Sequence, residues 1–316
     1  MLPEREFIER VRRLVRRSKS SRVVRGIGDD CAVLQASAGL ELLVTTDLCV
    51  EDVHFRRDWQ PARSVGHRCL ARGLSDIAAM GGDPAACFLS LAVPRGLSQR
   101  WIDEFVRGFL AMARRFRVPL AGGDTSSGPK IIADVVVLGT VPEGKAVLRS
   151  GARPGDLIYV TGKLGGAAAV LKSLKTGRKP GAATRGNFYP EPRVKVGGLI
   201  RQKQIATAMI DLSDGLSVDL AHICRESGVS AVIYAKKVPV ARGATLEQAL
   251  HGGEDYEVLF TARAGAKMPT KISGSPVTAI GRILPRSAKR AVVTLRDAVG
   301  KETPLKEQGW QHFARK

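Results

Sequence analysis

The chain has 316 residues, enough for a sizeable core and two domains of ordinary size, and its 44% apolar and 25% charged content is that of a soluble globular protein. Its net charge of +20 invites a nucleic-acid reading, but the basic residues are scattered and aromatics make up only 5% of the chain; the one dense run, "RRLVRRSKSSR", has no interleaved rings on which bases would stack. Five cysteines without a CxxC pair disfavour disulfides and a zinc site and fit a reducing cytosol, and no apolar run reaches the length of a membrane span.

The first residues contain Glu4, Glu6 and Glu9 and lack an apolar core, so they are no secretory signal; they read as an amphipathic helix with Phe7, Ile8, Val11 and Leu14 on one face. "CAVLQAS" and "LELLVTTDLCV" are predicted strands. "SVGHRCLARGLSDIAAM" has helical spacing and stops at Gly81-Gly82-Asp83-Pro84. There follow strand "ACFLSLAVP", a helix over 100–116, the short strand "VPLAGG" and the long strand "KIIADVVVLGTV". Residues 144–156, with "RSGARPGD", read as a domain junction. Beyond it come strand "LIYVTG", helix "GAAAVLKSLKT", an exposed Gly/Pro-rich connection, and helices and strands in alternation to residue 262. Strands near 277–283 and 291–295 precede the tail "GWQHFARK". Both halves mix helix and strand, so two α/β domains (of α+β type) are expected, 1–148 and 149–316.

No Walker A loop, dinucleotide fingerprint, zincin, nucleophile-elbow or protein-kinase motif is present. What stands out is a set of Asp residues at strand ends and helix starts: Asp29, Asp30, Asp47, Asp76, Asp124, Asp211 and Asp214, with Thr45, Thr46, Thr125 and Ser213 beside them. Singly, each is an ordinary turn or cap residue. Jointly, and with the glycines of "GGDTS" letting backbone N–H groups approach phosphate, they point to a site holding several magnesium ions and phosphate; carboxylates meeting in one cleft repel each other unless cations lie between them.

The motifs "GIGDDCAVL", "TTDLCVEDVHF", "LSDIAAMGGDP", "GGDTSSG", "RSGARPGD", "IDLSDGLSVDLAHI" and "GGEDYEVLFTA" occur in the order found in the thiamine-monophosphate kinases, so the chain resembles that family, within the aminoimidazole-ribonucleotide-synthetase-like ATP-binding superfamily. The resemblance runs from about residue 24 to the C-terminus. It implies transfer of the γ-phosphoryl of ATP to thiamine phosphate, directly, in a cytoplasmic homodimer whose N-terminal domains pair their sheets. By the same resemblance Asp30, Thr45, Thr46, Asp47, Asp76, Asp124, Asp211 and Asp214 are expected to hold Mg²⁺. Gly123, Asp124, Arg149 and Ser213 are expected to contact ATP, and His54, Glu254 and Trp310 thiamine phosphate. Asp47, Asp76, Asp124 and Asp211 carry the catalysis through metal, with no general base, because the acceptor phosphate oxygen is already ionised. The chain departs from the pattern at Ser126-Ser127, where Thr-Arg is expected, and at Gly166, where an acid is common; neither removes a proposed metal ligand.

Outside their motifs these residues have plainer roles: Arg149 as a cap on the junction, His54 as a core histidine, Glu254 as a surface acid, Trp310 as a seal on the C-terminal core. A selenophosphate-type relative would need a reactive Cys in a Gly-rich N-terminal segment, but no cysteine precedes Cys31. A purine-synthesis relative shares the Asp-rich logic without "GGEDYE" and the aromatic tail. A basic nucleic-acid-binding protein is the alternative from a different class, and a steep salt dependence of binding would identify it.

Overall fold

The computed structural model describes residues 23–310 apart from 26, 38, 179–184 and 288–290, together with Glu6 and Glu9. The apolar face expected on the first helix, the dense basic run and the last residues of the tail lie outside the described residues.

The N-terminal half is a six-stranded sheet in the order β1-β2-β3-β6-β4-β5, formed by β1 (Val23–Arg25), β2 (Ala32–Gln35), β3 (Leu40–Val50), β4 (Asp83–Val93), β5 (Leu120–Ser127) and β6 (Ile132–Pro142). All neighbours are antiparallel except β4 and β5. Strand β6 alternates half-buried and buried residues, with Val135, Val137 and Val141 facing inward, as a two-residue period requires of a sheet with one covered face. Helices α1 (Ala62–Ala79) and α2 (Gln99–Phe116) cover that face. They approach closely because Gly66 and Gly108 lie at the crossing; a Cβ on either would strike the other helix's backbone.

The expectations for this half hold for both helices and for the long strands. "GGDTSSG" differs: it is not a turn but the body of β5, extended by its parallel pairing with β4. Every residue of β5 is exposed. Gly123, at φ +155°, is required there because a side chain would collide with the Leu89 carbonyl.

The C-terminal half is built on β7 (Leu157–Thr161), β8 (Ala208–Asp211), β9 (Val229–Tyr234), β10 (Val258–Ala262), β11 (Lys271–Ile272), β12 (Ser275–Pro285), β13 (Val293–Arg296) and β14 (Glu302–Pro304), in the order β14-β13-β9-β12-β7-β10-β8, with β11 against β12. Strands β1, β11 and β14, two to three residues each, were too short for the sequence pattern to declare. Helices α5 (Leu216–Glu226) and α6 (Leu246–His251) pack on one face over Ile158, Val160, Ile210 and Ile233; α4 (Val194–Gln202) packs on the other against Tyr159, Met209 and Phe260. Helix α3 (Gly166–Lys175) begins at the left-handed Gly165.

Helix α4 also joins the halves. Gly197 lies so near the Ala78 carbonyl of α1 that no Cβ would fit, and Arg201 donates to the Gly81 carbonyl (2.6 Å) and to Asp83 (3.0 Å). Backbone bonds from Val147 to Met80 (3.1 Å) and from Met209 to Leu148 (2.9 Å) complete the junction. The C-terminal end of α1 is thereby set against the C-terminal end of β8.

Candidate active site

Helix α1 places Arg68, Arg72 and Asp76 four residues apart, hence in one row on one face, with Ser75 beside them. That row lies along the junction between the two halves. Asp76 accepts a short hydrogen bond from the Thr45 hydroxyl of β3, and Ser75 donates to the Asp211 carboxylate at the end of β8 (2.7 Å). Arg149 holds Asp30 through both carboxylate oxygens, at 3.0 and 3.1 Å, and its backbone N–H donates to Asp29 (3.0 Å). Carboxylate oxygens of Asp30, Asp76 and Asp211, drawn from both halves, lie within 4.8 Å of one another.

The electrostatics follow from this crowding. Burial, then the neighbouring carboxylates Asp47, Asp211 and Asp30, push Asp76 well above the usual range; burial and Asp30 do the same to Asp211. Asp29 rises to about 6, chiefly by burial and then by Asp30. A fully ionised cluster therefore needs positive charge between its members. Its donors are carboxylates and the Thr45 hydroxyl, hard oxygens of the kind magnesium takes, and no thiol or imidazole joins the group. The residues fit a divalent cation.

The remaining expected ligands are distributed differently. Asp47 stands beside Asp76 and is paired with Arg72 (3.5 Å). Thr46 falls on the opposite, exposed face of β3, since consecutive strand residues point to opposite sides; its hydroxyl is apart from the cluster. Asp124 is set apart too. It lies on exposed β5, three strand spacings (about 14 Å) from Asp47 on β3, and its carboxylate accepts from the Thr125 N–H (2.8 Å). Asp214 follows the cluster in the loop after β8, where its backbone N–H donates to Asp219 (3.2 Å).

That loop is pinned from two sides. Asp219, in the first turn of α5, accepts from the N–H groups of Gly215 (2.9 Å) and Asp214 (3.2 Å). The "GGEDYE" segment continues the antiparallel pairing of β10 with β8 past Val258–Asp211: Leu212 donates to Glu257 (2.8 Å), Tyr256 to Leu212 (2.9 Å) and Glu254 to Ser213 (2.8 Å). This pairing holds Glu254 (φ 65°) and Tyr256 (φ 49°) in left-handed conformations, which cost non-glycine residues free energy and occur where a side chain must be aimed. The Glu254 carboxylate is aimed at Arg68, with which it pairs closely. Burial opposes its ionisation, but Arg68, Arg72 and His54 together outweigh burial and hold it below the usual range.

Arg68, Arg72, Glu254, His54 and Cys49 line a narrow crevice at the far end of the α1 row. His54 accepts the Val50 N–H at Nδ1 (3.0 Å). Trp310 is 46% exposed, so it does not seal a core; its N–H bonds the Asp214 carbonyl (3.2 Å), which seats the start of the tail on the loop after β8.

Thus Asp30, Thr45, Asp76, Asp211 and Arg149 meet at one end of the cleft, with Asp47 adjacent, and Glu254 and His54 meet at the other. Arg68, Arg72, Ser75, Tyr256 and Asp219 were not among the expected residues. For Arg68, Arg72 and Asp76 the four-residue spacing was a usable signal; for Ser75 and Tyr256 none exists, since each matters through a contact with the other half.

Residues 28–141 match the N-terminal domain, and residues 153–299 the C-terminal domain, of the AIR synthase related proteins. A thiamine-monophosphate kinase of Salmonella typhimurium is 37% identical, the alignment covering 94% of this chain and 95% of that one. The solved structure of AaThiL complexed with AMPPCP and TMP superposes with a TM-score of 0.86 at 29% identity, over 99% of this chain and 97% of that one. Thiamine-monophosphate kinase from Stenotrophomonas maltophilia gives 0.76 at 36% identity, over 92% and 96%. With both of its halves matched and curated relatives above one-third identity across nearly its whole length, the chain belongs to the AIR synthase related family and, within it, to the thiamine-monophosphate kinases.

Proposed function

We propose that this chain transfers the γ-phosphoryl group of ATP to thiamine phosphate, giving thiamine diphosphate and ADP, in one in-line step. The observation that carries the reading is the meeting of Asp30, Asp76 and Asp211, from both halves, within 4.8 Å. Such a cluster binds cations, and phosphoryl transfer depends on alignment and charge neutralisation more than on acid–base chemistry. Asp30, Asp76 and Asp211, with Thr45 and Asp47, would hold Mg²⁺, and bound magnesium would neutralise the charge of the phosphoryl groups.

The chain's own groups do the rest. Arg149 fixes Asp30 and places positive charge beside the cluster. Ser75 ties Asp211 to α1, so that the two halves keep register across the cleft. Eight residues of α1 separate Asp76 from Arg68, about 12 Å of helix, so an acceptor whose ring sits by Glu254, Arg68 and His54 can extend its phosphate toward the cluster. Trp310, seated over the loop after β8, supplies a face for the cationic thiazolium. Gly123, Asp124 and Ser213 complete the ATP contacts, and Asp214 an outer metal contact, while Thr46, on the opposite face of β3, takes no part.

We place the domain boundary at 148/149. The protein acts as a homodimer: β5, exposed along its whole length at the sheet edge, is the kind of strand a second copy covers. It works in the cytosol, as its five buried free cysteines suit. Among the described residues no helix is long and apolar enough to cross a membrane.

The test is incubation with ATP, Mg²⁺ and thiamine phosphate, followed by chromatography. Thiamine diphosphate is expected in step with ADP; ADP release without thiamine diphosphate would reject the acceptor.

A further inference from the structure

The C-terminal sheet carries a second concavity, on the face turned away from α5 and α6. Strand β12 bulges between Ala279 and Gly281, and these two small residues, with Leu157 and Tyr234, leave a hollow of about 290 Å³. Lys237, Arg282 and Arg296 complete its lining. Lys237 Nζ stands 5.1 Å from the centre of the Tyr234 ring and Arg296 Cζ 5.5 Å from it, so one aromatic ring holds two cations beside the hollow. A single carboxylate, Glu302, pairs with Arg296 (3.1 Å); among the described residues no ion pair takes up Lys237 or Arg282. This is the electrostatic inverse of the Asp cluster: like charges gathered round a concave, partly apolar surface, which focuses a field on an anion.

We propose that this hollow is a second, metal-independent binding site for a small phosphate-bearing anion. Two guanidinium forks and an ammonium match the several oxygens and charges of an oligophosphate better than the single charge of a carboxylate. Tyr234 is the one aromatic ring in the lining, short of the successive rings on which a single-stranded nucleic acid stacks. The site is separate from the cleft, because Tyr234 on β9 is four strand spacings, about 19 Å, from Asp211 on β8.

Labelled inorganic pyrophosphate is the probe, measured by equilibrium binding to the full chain in EDTA, where the metal-free Asp cluster repels an anion. Binding of one pyrophosphate per chain, weakening as salt is raised, is expected. The double variant Lys237→Gln/Arg282→Gln should bind more than about a hundredfold more weakly, the least that losing two charge-assisted hydrogen bonds implies. Lys237→Arg/Arg282→Lys, which keeps the charges, should retain binding, and both variants should form thiamine diphosphate at the normal rate with saturating substrates. No binding at millimolar pyrophosphate, or undiminished binding by the Gln pair, overturns the proposal; so does tighter competition by a short duplex DNA through the same residues. The readout needs no turnover, so failure of the kinase reading would leave it standing.

Discussion

Replacing Asp76 by Asn should make the metal-free protein more stable and the enzyme almost inactive. Asp76 lies within 4.8 Å of both Asp30 and Asp211, and among the described residues no ion pair takes it up, whereas Asp30 is held by Arg149. Two like charges 4.8 Å apart at an effective dielectric constant of about 20 repel by about 3.5 kcal/mol. Removing Asp76's charge relieves two such pairs, while the amide oxygen can still accept from Thr45. Part of that strain is already relieved in the metal-free state, because burial and the neighbouring carboxylates favour the protonated acid. A net gain of about 2 kcal/mol is the reasonable expectation, a shift of several degrees in the melting midpoint. In Mg²⁺ with nucleotide the order should reverse, since the variant loses a ligand and with it the stabilisation that binding confers. Thermal unfolding in EDTA, then in Mg²⁺ with a non-hydrolysable ATP analogue, reads both effects, and turnover should fall by orders of magnitude. A variant less stable than the parent in EDTA, or stabilised by Mg²⁺ and nucleotide as much as the parent, would refute the reasoning.

Trp310→Leu should raise KM for thiamine phosphate several-fold with KM for ATP and the melting midpoint nearly unchanged, because the residue is 46% exposed; equal effects on both substrates would remove it from the acceptor site. Burial pushes Asp255 to about 7 despite its bonds from the Gly165 (2.6 Å) and Ala167 (3.4 Å) N–H groups. The folded state thus binds this proton more tightly than the unfolded chain, and the stability it confers is lost as pH rises toward 7. Asp255→Asn should therefore gain on the parent by about 1.4 kcal/mol per pH unit between pH 5 and 7 in urea unfolding, and parallel pH profiles would contradict this. Direct transfer requires that γ-labelled ATP alone leave the protein unlabelled; stoichiometric label on the chain would establish a phosphoenzyme.

The local features of this protein were legible in its sequence because they rest on local physics. Strands β3 and β6 announce themselves by β-branched residues, α1 by its spacing and its Gly-Gly-Asp-Pro stop, and the loop after β8 by carboxylates at the end of an apolar run. The family motifs then supplied a function that periodicity alone does not contain. Which carboxylates meet was decided by tertiary structure. Asp30 and Asp211, far apart in the chain, are joined to Asp76 only because α4 docks on α1 through Gly197 and sets β8 against the end of that helix. Strand alternation turned Thr46 away, and pairing with β4 drew Asp124 into an exposed edge strand, where a turn had been expected. The partners of Glu254 followed the same rule: its left-handed backbone is held by the β8 loop, and its counter-ion, Arg68, comes from the other half of the chain. Spacing fixes what one element can present, but only the packing of elements fixes what that presentation meets.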